Sequence, residues 1–299
     1  MAIDTRARLN GAGYSAATVT KAPPWHGLVA WDLLFNNMTT GLFLVAATAE
    51  LTAPEVFTPV AKAAYPLALL LLVTDLACLV LDLGDPLRFH HMLRVFKPTS
   101  PMSLGTWSLT LYSLPLTVAA ALSVLPAFWP ALAAWPALEW VRKAAVILGV
   151  LPALGSALYK GVLLSTNSQP GWRDARWLGG YLTNSAVVLG CAVALVLAVL
   201  LGQERASALL RPSLVLLLVL NLFPLGLMIR NLLPTLSRLY TPGQFGRLGA
   251  LCLGLGTLAP LALLFAGDSL PCVLAGVLSV LVGSLALRFV IVRLPHAFS

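Results

Sequence analysis

Residues 62–107 read KAAYPLALLLLVTDLACLVLDLGDPLRFHHMLRVFKPTSPMSLGTW. The first part is an apolar run that closes on Asp82, Gly84 and Pro86. A polar, basic passage follows, and near residue 103 the chain turns apolar again. A run of that length matches the ~20 apolar residues that cross a bilayer core, and Gly and Pro are the stop signals of a helix. The stretch therefore reads as one membrane-spanning helix, an extramembrane connection and the start of the next span.

The pattern extends in both directions. Of 299 residues, 59% are hydrophobic and only 10% charged, with a mean hydropathy of +0.89, whereas an average soluble domain carries about 25% charged residues. Spans are expected at 28–50, 62–83, 103–126, 141–165, 180–201, 208–229, 246–266 and 270–292. The fold class is all-α, a polytopic membrane protein with eight transmembrane helices. The first 27 residues lack the apolar stretch and small-residue cleavage site of a removable signal peptide.

The net charge of +8 does not indicate nucleic acid, because lysines and arginines lie almost wholly between apolar runs, where they anchor helices at headgroups. Most of the 19 fall on the side of the termini, and the positive-inside rule then puts both termini in the cytoplasm. Cys78, Cys191, Cys252 and Cys272 form no C-x-x-C pair, so no metal or iron–sulfur cluster is expected within this chain. No span supplies a pair of histidines for a transmembrane haem. Gly-rich phosphate loops, H-E-x-x-H and a nucleophile elbow are absent from the sequence.

Ionisable residues inside spans are costly and mark function. Asp32 lies in the first turns of span 1 and Glu50 closes it at the opposite face. Asp75 and Asp82 stand seven residues apart on one face of span 2, and Tyr159 and Lys160 close span 4. Between Pro86 and Lys97, the positions of Phe89, Met92, Leu93 and Phe96 make one apolar helical face. Arg88, His91, Arg94 and Lys97 make a basic one. This predicts a short helix in the interface plane at 86–97, with Arg88, His90, His91, Arg94 and Lys97 offered to a partner.

Two motifs carry a resemblance. Asp82, Leu83, Gly84, Pro86, Arg88 and Phe89, followed by Pro98, Thr99, Ser100, Pro101, Gly105 and Trp107, resemble the signature of the polysulfide-reductase membrane-subunit family, also called NrfD-like. The segment Tyr159 to Leu164, running to Pro170 and Trp172, is similar to a second family feature, and Tyr181 to Ala186 to the start of the family's fifth helix. The resemblance implies two four-helix bundles, here 28–165 and 166–299, behind an extramembrane segment at 1–27.

It also implies an integral membrane subunit of a multisubunit oxidoreductase that exchanges electrons and protons with membrane quinone (menaquinone or ubiquinone). Such a subunit has no redox centre of its own. Its expected partners are a four-cluster ferredoxin-like iron–sulfur subunit and a molybdopterin catalytic subunit, in a bacterial inner membrane. The implied pocket lies where the start of span 1, the end of span 4 and the 2–3 connection meet. Asp32 and Tyr159 then serve the chemistry, His26, Trp31, Phe35 and Asn36 complete the quinone site, and Leu33, Trp31 and Phe35 line its lipid-side access. Asp75, Asp82, Lys160 and Glu50 form a proton path. Some family members have His where this chain has Asp32. Two rival readings stay open: a proton-coupled secondary transporter using Asp75 and Glu50, and a membrane anchor without a quinone site.

Overall fold

The computed structural model describes residues 23, 25, 27–267 and 269–298. Among them, eight helices are long and apolar enough to cross a membrane, and no strand occurs. The chain is an all-α, multi-pass membrane protein. The helices are α1 (Gly27–Thr52), α2 (Pro54–Leu81), α3 (Pro101–Phe128), α4 (Pro136–Ser165), α5 (Leu178–Leu200) and α6 (Glu204–Leu239). α7 (Pro242–Leu253) continues through a π turn at Gly254–Leu258 into α8 (Ala259–Ala266), and α9 (Leu270–Arg293) ends the bundle.

Two boundaries differ from the hydropathy reading for a physical reason. The connection expected after residue 50 shrinks to Ala53, because Pro54 begins α2 at a position whose missing N–H would be unbonded anyway. α6 runs to Leu239 rather than 229, with Pro212, Pro224 and Pro234 inside it. Prolines are tolerated in membrane helices because neighbours and local adjustments satisfy the freed carbonyls.

α1 is the central strut, packed against α2, α4, α5 and α9. It crosses α5 at Gly41 and Gly190, where a Cβ on either glycine would collide with the facing backbone. Small residues permit this close approach, which replaces the hydrophobic drive that lipid removes. Asn37 Nδ2 adds a 2.7 Å hydrogen bond to the Leu182 carbonyl across the same seam. The helices before and after this crossing form the two halves of the molecule.

The predicted interfacial helix is present but shorter and tighter. Residues Pro86–Leu93 form a 3-10 helix, not an α-helix to residue 97. The chain beyond it bonds to the start of α3 instead: Ser103 Oγ accepts from Lys97 N at 2.9 Å and donates to the Val95 carbonyl at 3.3 Å. Pro98 also biases Lys97 away from helix.

Candidate functional site

Three helices bring their ionisable residues to one buried point. Lys160 Nζ of α4 lies 2.6 Å from Asp32 Oδ1 of α1 and 2.8 Å from Asp75 Oδ1 of α2. It also donates to the Asp32 carbonyl at 3.2 Å. Asn36 Nδ2, one turn after Asp32, donates to Asp75 Oδ2 at 3.3 Å and to Ser156 Oγ at 3.0 Å. All five side chains are buried. Asp32, Asp75 and Lys160 sit five to six residues from the end of their helices near residues 86–93, so they lie roughly 8 Å below that face at 1.5 Å rise per residue, with Asn36 and Ser156 about one turn deeper. Two carboxyl groups thus share one amine in a low-dielectric interior.

A cavity of about 300 Å³ opens beside this cluster. Asp32, Lys160, Tyr159 and Asp82 supply its polar wall. Apolar walls come from Val29 and Leu33 of α1, Leu76, Leu79 and Val80 of α2, and Leu163 and Leu164 of α4, and Phe89, Met92 and Leu93 of the 3-10 helix roof it. The apolar stripe read from the sequence therefore turns inward over the cavity. Phe96, its fourth member, instead stacks edge-on against Trp107 at 6.0 Å.

The quoted motifs acquire physical roles here. A Cβ on Gly105 would collide with the Tyr159 ring, so the glycine is what lets α3 pass under that ring. Gly171 has φ +84°, a left-handed conformation that favours glycine. The turn buries Trp172, whose Nε1 donates to the Ile291 carbonyl at 2.8 Å. Trp172 stacks on Trp25, which itself lines the cavity, at 5.4 Å.

Not every expected site residue reaches the cavity. Trp31 and Phe35 do not line it: they stack on each other at 5.8 Å, and Trp31 meets Phe289 of α9 edge-on at 6.4 Å. A residue adjacent to Asp32 is turned about a quarter of the way round the helix, which puts Trp31 on the α9 side. Asn36 lies behind the cavity wall as a hydrogen-bond donor to Asp75. Leu33 does line the cavity. His26 lies outside the described residues.

The expected proton path divides. Asp75 and Lys160 belong to the cluster and Asp82 to the cavity wall. Glu50 belongs to a separate network at the opposite end, gripped by Arg142 through Nη2–Oε1 at 2.5 Å and Nη1–Oε2 at 3.1 Å. Tyr65 Oη donates to it at 2.7 Å, and Arg142 also binds Glu139. Between the two networks the fully buried ring of Phe43 packs on Tyr112 and Tyr65 at 5.4 and 5.7 Å. An apolar ring thus stands between Asp75 and Glu50, beside the Tyr112 hydroxyl bonded to Thr39 and the Tyr65 hydroxyl bonded to Glu50. The sequence reading missed Ser156 and Arg142; each stands on the helix face that carries Lys160 or Glu139, at helical spacing.

Arg88, His90, His91, Arg94 and Lys97 are all exposed along and just after the 3-10 helix. Arg88 pairs with Asp85 at 3.1 Å.

No curated protein matches this chain. A family model described as polysulphide reductase, NrfD, matches residues 17–297, which take in both halves, the Lys160 cluster and the roofed cavity, and the chain belongs to that family.

Proposed function

We propose that this chain oxidises or reduces a membrane quinone in the cavity beneath residues 86–93 and exchanges the electrons with an iron–sulfur partner docked above it. Membership of the family supports the broader part of this reading, a membrane subunit of a quinone-linked oxidoreductase complex. The observation that carries the finer part is the cavity itself, which joins a buried carboxylate–ammonium cluster to apolar walls within one space.

A quinol releases two electrons and two protons, so its hydroxyls need acceptors within hydrogen-bond reach. Asp32 faces the cavity and is held by Lys160. A proton passed from the ring to the cluster is held between two carboxyls that share Lys160, in hydrogen bonds rather than as bare charge in a low-dielectric site. The reverse transfer serves quinone reduction. Tyr159 is held on its other face by α3 and presents a hydroxyl-bearing ring to the same space. Asp75, with Asn36 and Ser156 behind it, extends the polar cluster away from the ring.

The electrons leave toward the roof, because the exposed basic residues Arg88, His90, His91, Arg94 and Lys97 stand on the segment whose apolar side closes the cavity. A partner with an acidic face docks there and lies next to the ring. The four-cluster ferredoxin-like subunit, with a molybdopterin subunit beyond it, fits this position. By the positive-inside rule we read this face and both termini as cytoplasmic, in a bacterial inner membrane.

Asp32→Asn or Tyr159→Phe should lower quinol turnover by at least about tenfold, the low end of what a proton-transfer group contributes, with the complex still assembled. Undiminished turnover in both variants would remove the site. Reversing Arg88 and Arg94 to Glu should release the iron–sulfur partner during purification; an intact complex would refute the docking face. A reporter fused to the C-terminus should be active only in the cytoplasm.

A further inference from the structure

We infer that the cavity is loaded sideways from the lipid, through a seam between α2 and α3 that holds the apolar tail of the ligand while its head lies at Asp32 and Tyr159. The inference rests on the quinone reading above and adds the route and the residues that select the tail.

Two facing stripes define the seam. On α2 the cavity is lined by Leu76, Leu79, Val80 and, just past the helix, Leu83; on α3 by Met102, Thr106, Leu109, Thr110 and Ser113. Both follow helical spacing. The α3 stripe runs about 16 Å along the helix axis at 1.5 Å per residue, far longer than a single ring needs. Apart from Leu109 these residues are only half-buried, and Leu76 is 36% exposed. Side chains that line a cavity and also face lipid mark its opening.

Other seams of this half are closed. α1 is tied to α2 by Thr39 donating to the Ala68 carbonyl at 2.7 Å and by the Tyr65–Glu50 bond. α3 meets α4 at Gly105 against Tyr159 and at Gly155 against Ser108, and Gly149 of α4 packs on Phe43 of α1 and Pro115 of α3. No such glycine contact brings α2 and α3 together among the described residues.

The hydroxyls on the seam are not an obstacle to an apolar tail. Thr106 donates to the Met102 carbonyl at 2.9 Å, Thr110 to the Thr106 carbonyl at 2.8 Å and Ser113 to the Thr110 carbonyl at 2.8 Å. Their protons are spent within α3, so the surface offered to the tail is effectively apolar. Ser and Thr here act as small residues that leave room, where Leu would fill the groove.

The test compares a long-tailed menaquinol with its tail-less dimethyl-naphthoquinol analogue, using the whole complex in lipid nanodiscs. Ser113→Trp and Thr110→Trp should raise the ratio of KM for the long-tailed quinol to KM for the tail-less one by roughly tenfold, the discrimination a filled apolar pocket achieves. Leu76→Trp, on the opposite wall, should do the same if an α3 variant fails to fold. Leu114→Trp, 62% exposed on the lipid side of α3 and outside the cavity lining, should leave both KM values as in the unaltered complex. A ratio unchanged in all three seam variants would overturn the route, as would an equal loss with both quinols. If the unaltered complex is inactive with menaquinol, the same comparison is made with ubiquinol and its tail-less analogue, and inactivity toward both long-tailed quinols would overturn the quinone reading, and the route with it.

Discussion

Lys160 and Arg288 stand at corresponding places in the two halves of the molecule. Lys160 follows Gly155 and Ser156 in α4 and lies five residues before the helix end; Arg288 follows Gly283 and Ser284 in α9 at the same distance from its end. The glycine of each pair admits the third span of its half, through Ser108 at Gly155 and Gly256 at Gly283. Counted back equally from the Gly41–Gly190 crossing, Asp32 corresponds to Tyr181 and Asn36 to Ser185. Asn36 bonds Ser156, and Ser185 approaches Ser284 to 3.5 Å.

The frames match and the partners do not. Lys160 has two carboxylates, whereas Arg288, fully buried, bonds the Ser284 hydroxyl and carbonyl and the Ser185 hydroxyl at 3.2 Å. Its Nε has no partner, and no carboxylate reaches it, among the described residues. The roofed cavity is lined by Lys160 and not by Arg288. Among the described residues, a buried cation paired with carboxyl groups occurs here in the first half, beside Lys160, and not beside Arg288. The second half holds a fixed positive charge among neutral hydroxyls.

The largest expected difference comes from deleting each cation. Lys160→Met strands two buried carboxylates and should cost ~3–5 kcal/mol, read as a collapse of the melting temperature in detergent and loss of quinol turnover. Arg288→Met removes a desolvated charge whose partners can bond elsewhere, and should change stability by no more than about 1 kcal/mol. Equal losses would show that an unseen anion compensates Arg288.

A smaller contrast concerns helix spacing. Gly105→Ala should cost about 1–3 kcal/mol by overpacking against Tyr159 and lower turnover beyond what the stability loss explains. Gly276→Ala, where a Cβ would meet only Leu263 and Leu264 at ordinary distances of 3.7 to 3.9 Å, should stay within about 0.5 kcal/mol. The smallest contrast belongs to the matching serines. Ser284→Ala loses a bond to a charged group and should cost about 2 kcal/mol, against about 1 kcal/mol for Ser156→Ala. Thermal melts in detergent would rank the two, and a reversed order would mean that Arg288 does not depend on Ser284.

Much of this was legible in the chain. Eight spans followed from hydropathy because lipid leaves helices no alternative. Asp32, Asp75, Asp82, Tyr159 and Lys160 drew notice because a titratable group in a span must repay its desolvation. Trp31 and Phe35 misled because aromatic neighbours of Asp32 invite a pocket, while helical rotation turns them toward α9. The α2–α3 seam was illegible since Thr and Ser read as polar until their protons are traced to the α3 backbone.

Composition, the apolar period and the two motifs determine the number of helices, their approximate ends and the family, since each depends on transfer of local segments out of water. Which side chains share a point depends on helix rotation and on where Gly41, Gly105 and Gly190 let backbones touch. That is why only the tertiary structure joins Lys160 to Asp32 and Asp75, pairs Glu50 with Arg142 at the far end and leaves Arg288 among hydroxyls. These are contacts between segments far apart in the chain, and no local pattern encodes them.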